Sequence, residues 1–250
     1  MNNRNWNILC WNIRGINATS KWDAVRDKIE ESSCSVICLQ ETKREHFDMM
    51  YIRKFAPKRF DNFDYIPFVG ASGGVLVIWS SSSLQGTVID KQQFGITIRF
   101  QSQHNNELWK LTNVYGPCVE PDRTNFINWF RNHQMRKIGS FSEISIFYRS
   151  VENRNRAGGN INDTLIFNDA IGQLGLVELP LKDRSYTWSN MQINPLLEQL
   201  DWFFTSINLT IDYPNTEALP LAKITSDHLP CQITIGTKIP KANVFRFENY

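Results

Sequence analysis

No apolar run in this chain is long enough to cross a bilayer. The longest, Phe68 to Trp79, is broken by Gly and Ser and falls short of the roughly 20 residues a spanning helix needs. No membrane partner is expected, and no apolar h-region follows the early Asn and Arg, so no secretory signal is read. An excess of one charge sign is missing too. The 27 basic and 25 acidic side chains leave a net +2, which neither builds nor forbids a local basic patch for nucleic acid. Cysteines are few and odd in number, five in all, so they do not form a complete disulfide framework. Cys34 and Cys38 find no second Cys or His pair to close a zinc site. Buried or free reduced thiols are the simplest reading, and they point to a reducing compartment rather than to secretion.

Aromatic residues are plentiful: eight Trp and sixteen Phe in 250 residues, most of them expected in a core. The length suits one large α/β domain or two small ones. Asn7–Asn12 (NILCWN) reads as a buried strand, and Thr19 or Ser20 is placed to cap a helix through Trp22, Val25 and Ile29. Ser35–Leu39 is a second strand, so the unit predicts two parallel neighbours. Gly73–Trp79, Phe94–Phe100 and Leu108–Tyr115 fit an antiparallel meander. Pro121 opens a helix through Phe126, Trp129 and Phe130. Asn162 caps another through Leu165 to Leu174, which Gly175 stops. Tyr186–Ser189, Leu200–Thr205 and Cys231–Ile235 are late strands, while Met135–Ser150 is neither a clean strand nor a good loop. Mixed strands with few helices predict two sheets packed face to face with helices outside. Lys238–Tyr250 has no periodic pattern and reads as a tail.

The notable polar residues sit where apolar strands end. Asn12 follows NILCW, Glu41 follows VICLQ, Tyr115 ends LTNVY, and Asp227 and His228 form SDH before the last strand. Loops at strand ends are where sheets present catalytic groups. Taken singly, each has a plain explanation: a turn or cap for Asn12 and SDH, a solvated carboxylate for Glu41, a half-buried strand aromatic for Tyr115. Asp201, inside LDWFF, is different, because a carboxylate among large apolar neighbours needs a partner. Taken together, Glu41, Asn12 and Asp227 supply the oxygens that Mg²⁺ or Mn²⁺ prefers. A His beside an Asp orients or moves a proton, and a Tyr hydroxyl donates to a phosphate oxygen. Such a set suits metal-assisted phosphodiester cleavage.

The order WNIRG (11–15), LQET (39–42), NVYGP (113–117), YTWSN (186–190), LDWFF (200–204) and SDHLP (226–230) resembles the endonuclease/exonuclease/phosphatase superfamily. It is most similar to the apurinic-type endonuclease domain of plant LINE-type (non-LTR) retrotransposon polyproteins, from about Trp6 to Ile235. The resemblance implies an α/β, four-layer sandwich of two packed mixed β-sheets flanked by helices, DNase I-like, over residues 1–237. It implies Glu41 as main metal ligand with Asn12 beside it and Asp227 near, and Tyr115 on the scissile phosphate. Asp201 would orient His228, which would act at the phosphate. Asn12, Thr187 and Trp188 would lie towards the substrate. DNA is the implied partner of a monomer, nicked to leave a 3′-hydroxyl, and the tail 238–250 would lead towards a reverse transcriptase. A phosphatase of the same fold and a catalytically dead nucleic-acid-binding remnant are the alternatives.

One family motif is missing. Gly-Asp-Phe-Asn, whose Asp would activate water and whose Asn would hold the phosphate, should stand between NVYGP and YTWSN. That place reads MRKIGSFSEISIFYRS (135–150). A hypothetical coding stretch for a family-like Asp-Glu-Glu-Asn-Trp-Leu-Ile-Phe-Gly-Asp-Phe-Asn, read one frame over, translates as Met135–Ser145. We infer two compensating frameshifts that set Ile144 near the lost Asp and Ile146 near the lost Asn. The gene sequences of relatives test this: without offset insertions and deletions through this stretch, the inference fails. Arg14 is a further departure, since some relatives carry an acidic residue there, and Trp202 stands where animal relatives often have Arg.

Overall fold

A computed structural model describes residues 5–68, 73–117, 122–132, 149–222 and 225–236, with 140–145 as backbone. In chain order its first half runs β1 (Trp6–Asn12), α1 (Thr19–Ser32), β2 (Val36–Gln40), α2 (Met49–Ile52), β3 (Asn62–Ile66), β4 (Val75–Trp79), β5 (Leu84–Gln92), β6 (Gly95–Ser102) and β7 (Leu108–Tyr115). The second half runs α3 (Asp122–Asn132), β8 (Ser140–Ser145), α4 (Ile161–Leu174), β9 (Leu176–Glu178), β10 (Trp188–Ser189), β11 (Leu197–Glu198), β12 (Asp201–Ser206), α5 (Ile207–Asp212), β13 (Glu217–Pro220) and β14 (Cys231–Ile235).

The strands form two six-stranded mixed sheets, ordered β13-β14-β1-β2-β4-β3 and β5-β6-β7-β8-β12-β9, with β10-β11 as a separate hairpin. Period-two alternation sorts their side chains. On β1, β2 and β4 one set (Ile8, Cys10, Val36, Cys38, Val77) meets Ile96, Ile98, Leu111 and Phe203 of the second sheet in a shared core. The other set (Leu9, Trp11, Ile37, Leu39, Ile78) packs on Val25 and Ile29 of α1 and Ile52 of α2. On the far side Val114, Trp202 and Phe204 bury Phe126 and Phe130 of α3 and Phe167 and Ile171 of α4. Helix, sheet, sheet and helix make the four expected layers. Burial on both faces explains why β1, β2 and β4 read as almost unbroken apolar runs.

Several local expectations are corrected. The N-cap of α1 is Ala18, without a side-chain cap, and Thr19 and Ser20 lie inside the first turn. Asn160, not Asn162, caps α4 by accepting from the Asn162 amide, while Gly175 ends it in the left-handed conformation. The meander exists as β5-β6-β7, but β4 belongs to the other sheet, paired with β2 and β3. The Ser80–Ser83 turn carries the chain between sheets, its Ser80 amide held by the Ser35 carbonyl. Pro121 and the tail lie outside the described residues, which include no helix long and apolar enough to cross a membrane.

Met135–Ser150 does contain a strand. β8 runs between β7 (parallel) and β12 (antiparallel), with Ser145 level with both Tyr115 and Asp201, and Ile144 level with Val114 and Trp202. β8 therefore lies in mid-sheet, ending beside two of the candidate site residues. Ile146 falls outside the described residues.

Candidate active site

The site lies at one end of the sandwich, where β1, β2 and β7 finish and β12 and β14 begin. The β1–β2 pair is parallel, and its hydrogen bonding continues past the strands: Ile13 N to Gln40 O, Gly15 N to Glu41 O and Ile16 N to Thr42 O at 3.0, 2.6 and 3.0 Å. Thr42 and Lys43 donate in turn to Gly74 and Gly73 at 3.2 Å each. Gly74 is required there: its φ is +87°, and a Cβ would stand 2.4 Å from Thr42 Oγ1. Arg14, Glu41 and Lys43 hold positive φ of 55°, 48° and 50°. Each such non-glycine residue costs about 1–3 kcal/mol and persists where its surroundings over-determine it, often at functional sites.

Glu41 and Asn12 are both buried, and Asn12 Nδ2 donates to Glu41 Oε1 at 3.1 Å. Asn12 Oδ1 is buried and makes no hydrogen bond among the described residues. An orphaned carbonyl oxygen beside a carboxylate is a ready cation ligand. Across from them Asp227 Oδ2 accepts from the Trp188 indole at 2.8 Å. Burial pushes the Asp227 carboxyl up, but that hydrogen bond, the nearby His228 and Arg14 together hold it below its ordinary value. Between the two carboxylates sits Arg14. Its Nε and Nη2 each lie 3.0 Å from an Asp227 oxygen, and Nη1 lies 3.4 Å from Glu41 Oε2.

The SDH turn is pinned to β1 by Ser226 Oγ donating to the Asn12 carbonyl at 2.8 Å and Trp11 Nε1 donating to the His228 carbonyl at 3.1 Å. Lys21 Nζ bridges the carbonyls of Ile13 and Thr225 at 2.7 and 2.8 Å. His228 Nδ1 faces both oxygens of Asp201, at 2.8 and 3.1 Å, with both residues buried. This is the partner that a carboxylate inside LDWFF required. Tyr115 is mostly buried, and its ring lies 3.7 Å from where a Cβ on Gly73 would stand, so it closes on the same loops as Glu41.

All of the sequence-predicted residues thus gather at this end, and Thr187 also braces the backbone there. It is fully buried, and its hydroxyl accepts from the amides of Leu200 and Asp201 at 3.1 and 3.0 Å. It holds the start of β12, and so Asp201, in place. Thr187 and Trp188 both border a hollow of about 380 Å³, lined also by Arg184, Tyr186, Asp227 and Leu229. A second hollow of about 310 Å³ lies by Tyr115, Gly73 and Phe94. Sequence reading missed the bracing by Ser226 and Lys21, and the contact of Gln40 Nε2 with Asn113 Oδ1 that ties the two sheets. The available signals were a polar residue ending an apolar strand, Gln40, and a polar residue buried inside one, Asn113.

Among the described residues no three His, Cys, Asp or Glu cluster as an enclosed metal cage. A hard cation that keeps most of its waters needs only one or two carboxylates. Glu41, Asp227 and the unpaired Asn12 oxygen fit that demand in donor type, with the Arg14 guanidinium standing among them.

No family model and no curated protein matches the chain in sequence. Solved structures match over nearly its whole length. An AP endonuclease, LMAP, from Leishmania major superposes with a TM-score of 0.69 at 16% identity, over 95% of this chain and 89% of that one. The endonuclease domain of TRAS1, a telomere-specific non-LTR retrotransposon, gives 0.64 at 10% identity, over 92% and 98%. TDP2 from D. rerio, solved with a single-stranded DNA product, gives 0.61 at 14% identity, over 92% and 98%. At such identities a shared fold does not carry a shared activity. The order of the strands, the four layers and these neighbours establish that this chain has the DNase I-like fold of the AP endonucleases.

Proposed function

We propose that the chain is a phosphodiester-cleaving domain of endonuclease type, from the polyprotein of a plant LINE-type retrotransposon, that nicks target DNA with Mg²⁺ or Mn²⁺ and is impaired in this copy. It acts as a monomer, with residues 1–237 as the domain and 238–250 as the tail. The observation that carries this is the meeting, at one sheet end, of Glu41 with Asn12, Asp227, Tyr115 and an Asp201–His228 pair at 2.8 Å. The likeness to a retrotransposon endonuclease domain supports the branch.

Glu41, Asn12 and Asp227 would hold the cation, which supplies Lewis-acid stabilisation of charge on a phosphate oxygen. Asp201 fixes the imidazole through Nδ1, leaving Nε2 to donate to the phosphate when the ring is protonated. Tyr115 places its hydroxyl at the same phosphate, and Trp188 offers an aromatic wall to the nucleotide beside it. The group that would activate water is missing with the Gly-Asp-Phe-Asn motif, a loss of about 10²–10⁴ in rate. Supercoiled-plasmid nicking with Mg²⁺ tests this: the chain is expected to nick far more slowly than a repaired version, and equal rates would refute the impairment.

The missing motif also favours a second reading, a remnant that grips DNA without cutting it. It would shift DNA in a gel at low salt, lose binding steeply as salt rises, and show no nicking that depends on Glu41.

A further inference from the structure

Arg14 lies within contact distance of two of the candidate cation ligands, Glu41 and Asp227. It follows β1 by two residues and adopts a left-handed φ of 55°. The Gly15 amide after it is tied to the Glu41 carbonyl at 2.6 Å. This backbone delivers the guanidinium into the gap between Glu41 and Asp227. Two of its nitrogens engage both oxygens of Asp227 at 3.0 Å and a third lies 3.4 Å from Glu41 Oε2. Such paired contacts are the strong geometry for guanidinium and carboxylate. The Glu41 side chain is almost fully buried and that of Asp227 is 24% exposed. Two carboxylates held this close need a compensating charge, and here the chain supplies its own.

We propose that Arg14 is a tethered cation that stands in for a divalent ion between Glu41 and Asp227. It keeps the ligands assembled without metal and makes any Mg²⁺ or Mn²⁺ bind weakly and in competition with it. The proposal rests on the reading of Glu41, Asn12 and Asp227 as a cation site and deepens it. A divalent ion beside an unmoved guanidinium meets like charge in a partly buried place, where screening is weak. The ion must therefore displace Arg14, whose side chain is 38% exposed and has solvent to move into. It also explains how the site holds its shape while only Asn12 Oδ1 is left unpaired among its three ligand residues. That one neutral oxygen is an acceptor the guanidinium does not reach.

The test is Mn²⁺ titration by calorimetry and metal-dependent melting on the full chain, on Arg14→Gln and Arg14→Ala, and on Arg14→Lys as the charge-retaining control. The uncharged variants are expected to bind Mn²⁺ at least about tenfold more tightly than the unchanged chain. They should melt lower without metal and regain stability as Mn²⁺ is added. The Lys variant should stay close to the unchanged chain. Equal Mn²⁺ affinity with and without Arg14 overturns the proposal but leaves the cation site standing. If folded Arg14→Gln shows no saturable binding that Glu41→Gln removes, the cation site itself fails, and the proposal with it. Should neither uncharged variant fold, the unchanged chain still decides. A Kd for Mn²⁺ below about 10⁻⁴ M, in the range of dedicated sites, would show that Arg14 does not compete.

Discussion

The same strands finish very differently at their two ends. At the start of β1 and β7, Trp6 and Trp109 pack with ring centroids 5.9 Å apart, flanked by Tyr213 at 5.8 Å from Trp6 and Phe100 at 4.9 Å from Trp109. At the other end of those strands stand Asn12 and Tyr115, with Glu41, Asp201, Asp227 and His228 around them. The first end is closed by aromatic area and contributes stability. The second carries left-handed backbone at Arg14, Glu41 and Lys43 and buried carboxylates at Glu41 and Asp201, both of which cost stability. A structure keeps such a region only where something selects it or once selected it. If the open end is the reactive one, changes at the two ends of β1 and β7 should be read out by different measurements.

The largest effect is expected where β8 reaches the open end. Gly-Asp-Phe-Asn restored over 143–146 follows the frame reading, which sets the Asp at Ile144. Moved one residue on, the motif puts its Asp at Ser145, level with Tyr115 and Asp201. A one-residue shift turns a side chain to the other face of a sheet, so only one placement can work. That placement is expected to raise plasmid nicking about 10²–10⁴-fold and to fix the register of β8 in the active form. No gain from either would place the loss of activity elsewhere.

Next in size is the Asp201–His228 pair. In the repaired chain, His228→Ala is expected to slow nicking about 10²-fold or more, within the range of a lost proton-transfer group. Asp201→Asn should cost less, because the imidazole remains but loses its orienting charge. Gel-shift affinity for DNA should hardly move in either. A parallel fall in affinity would mean the pair supports the groove and not the reaction.

Thr187 separates bracing from substrate contact at the open end. Thr187→Val keeps the shape and strips the acceptor from two amides, one of them on buried Asp201. Leaving such groups unsatisfied costs about 1–3 kcal/mol, or a few degrees in Tm for a chain of this size. DNA affinity should hold once the protein is folded. If affinity falls and Tm does not, Thr187 faces substrate after all.

How much of this could be read from the sequence follows the same division. The layers were legible because β1, β2 and β4 are apolar on both faces and only a doubly covered sheet accepts that. Asp201 announced a partner by sitting among Trp and Phe, and His228 is that partner. Strands that bury little were missed: β3 is half-buried along its whole length, and β5 after Leu84 alternates exposed with half-buried residues. The caps of α1 and α4 were misplaced because several Ser, Thr or Asn residues stand near each start, and only backbone geometry chooses among them. The backbone contacts of Thr187 were hidden because a hydroxyl near a site looks the same in sequence whether or not it accepts from the chain's own amides. Arg14 could be seen as a departure, but the two carboxylates it joins lie 27 and 213 residues away.

The smallest effect belongs to the closed end. The Tyr213 hydroxyl donates to Glu107 Oε2 at 3.0 Å, and burial, reinforced by that carboxylate, raises its pKa well above the ordinary tyrosine value. A group whose folded pKa is raised contributes stability in full below the unfolded value of about 10. That contribution is lost as pH climbs towards the folded pKa, because the unfolded chain then gives up its proton more readily than the native one. Urea midpoints measured from pH 8 to pH 11 should therefore fall less steeply in Tyr213→Phe than in the unchanged chain. Below pH 9 the variant should differ only by the loss of one half-buried hydrogen bond, about 1 kcal/mol. Nicking by a repaired chain carrying this change should be unaltered at neutral pH. A change in nicking would show that the two ends of the strands are coupled, and the division drawn between them would not stand.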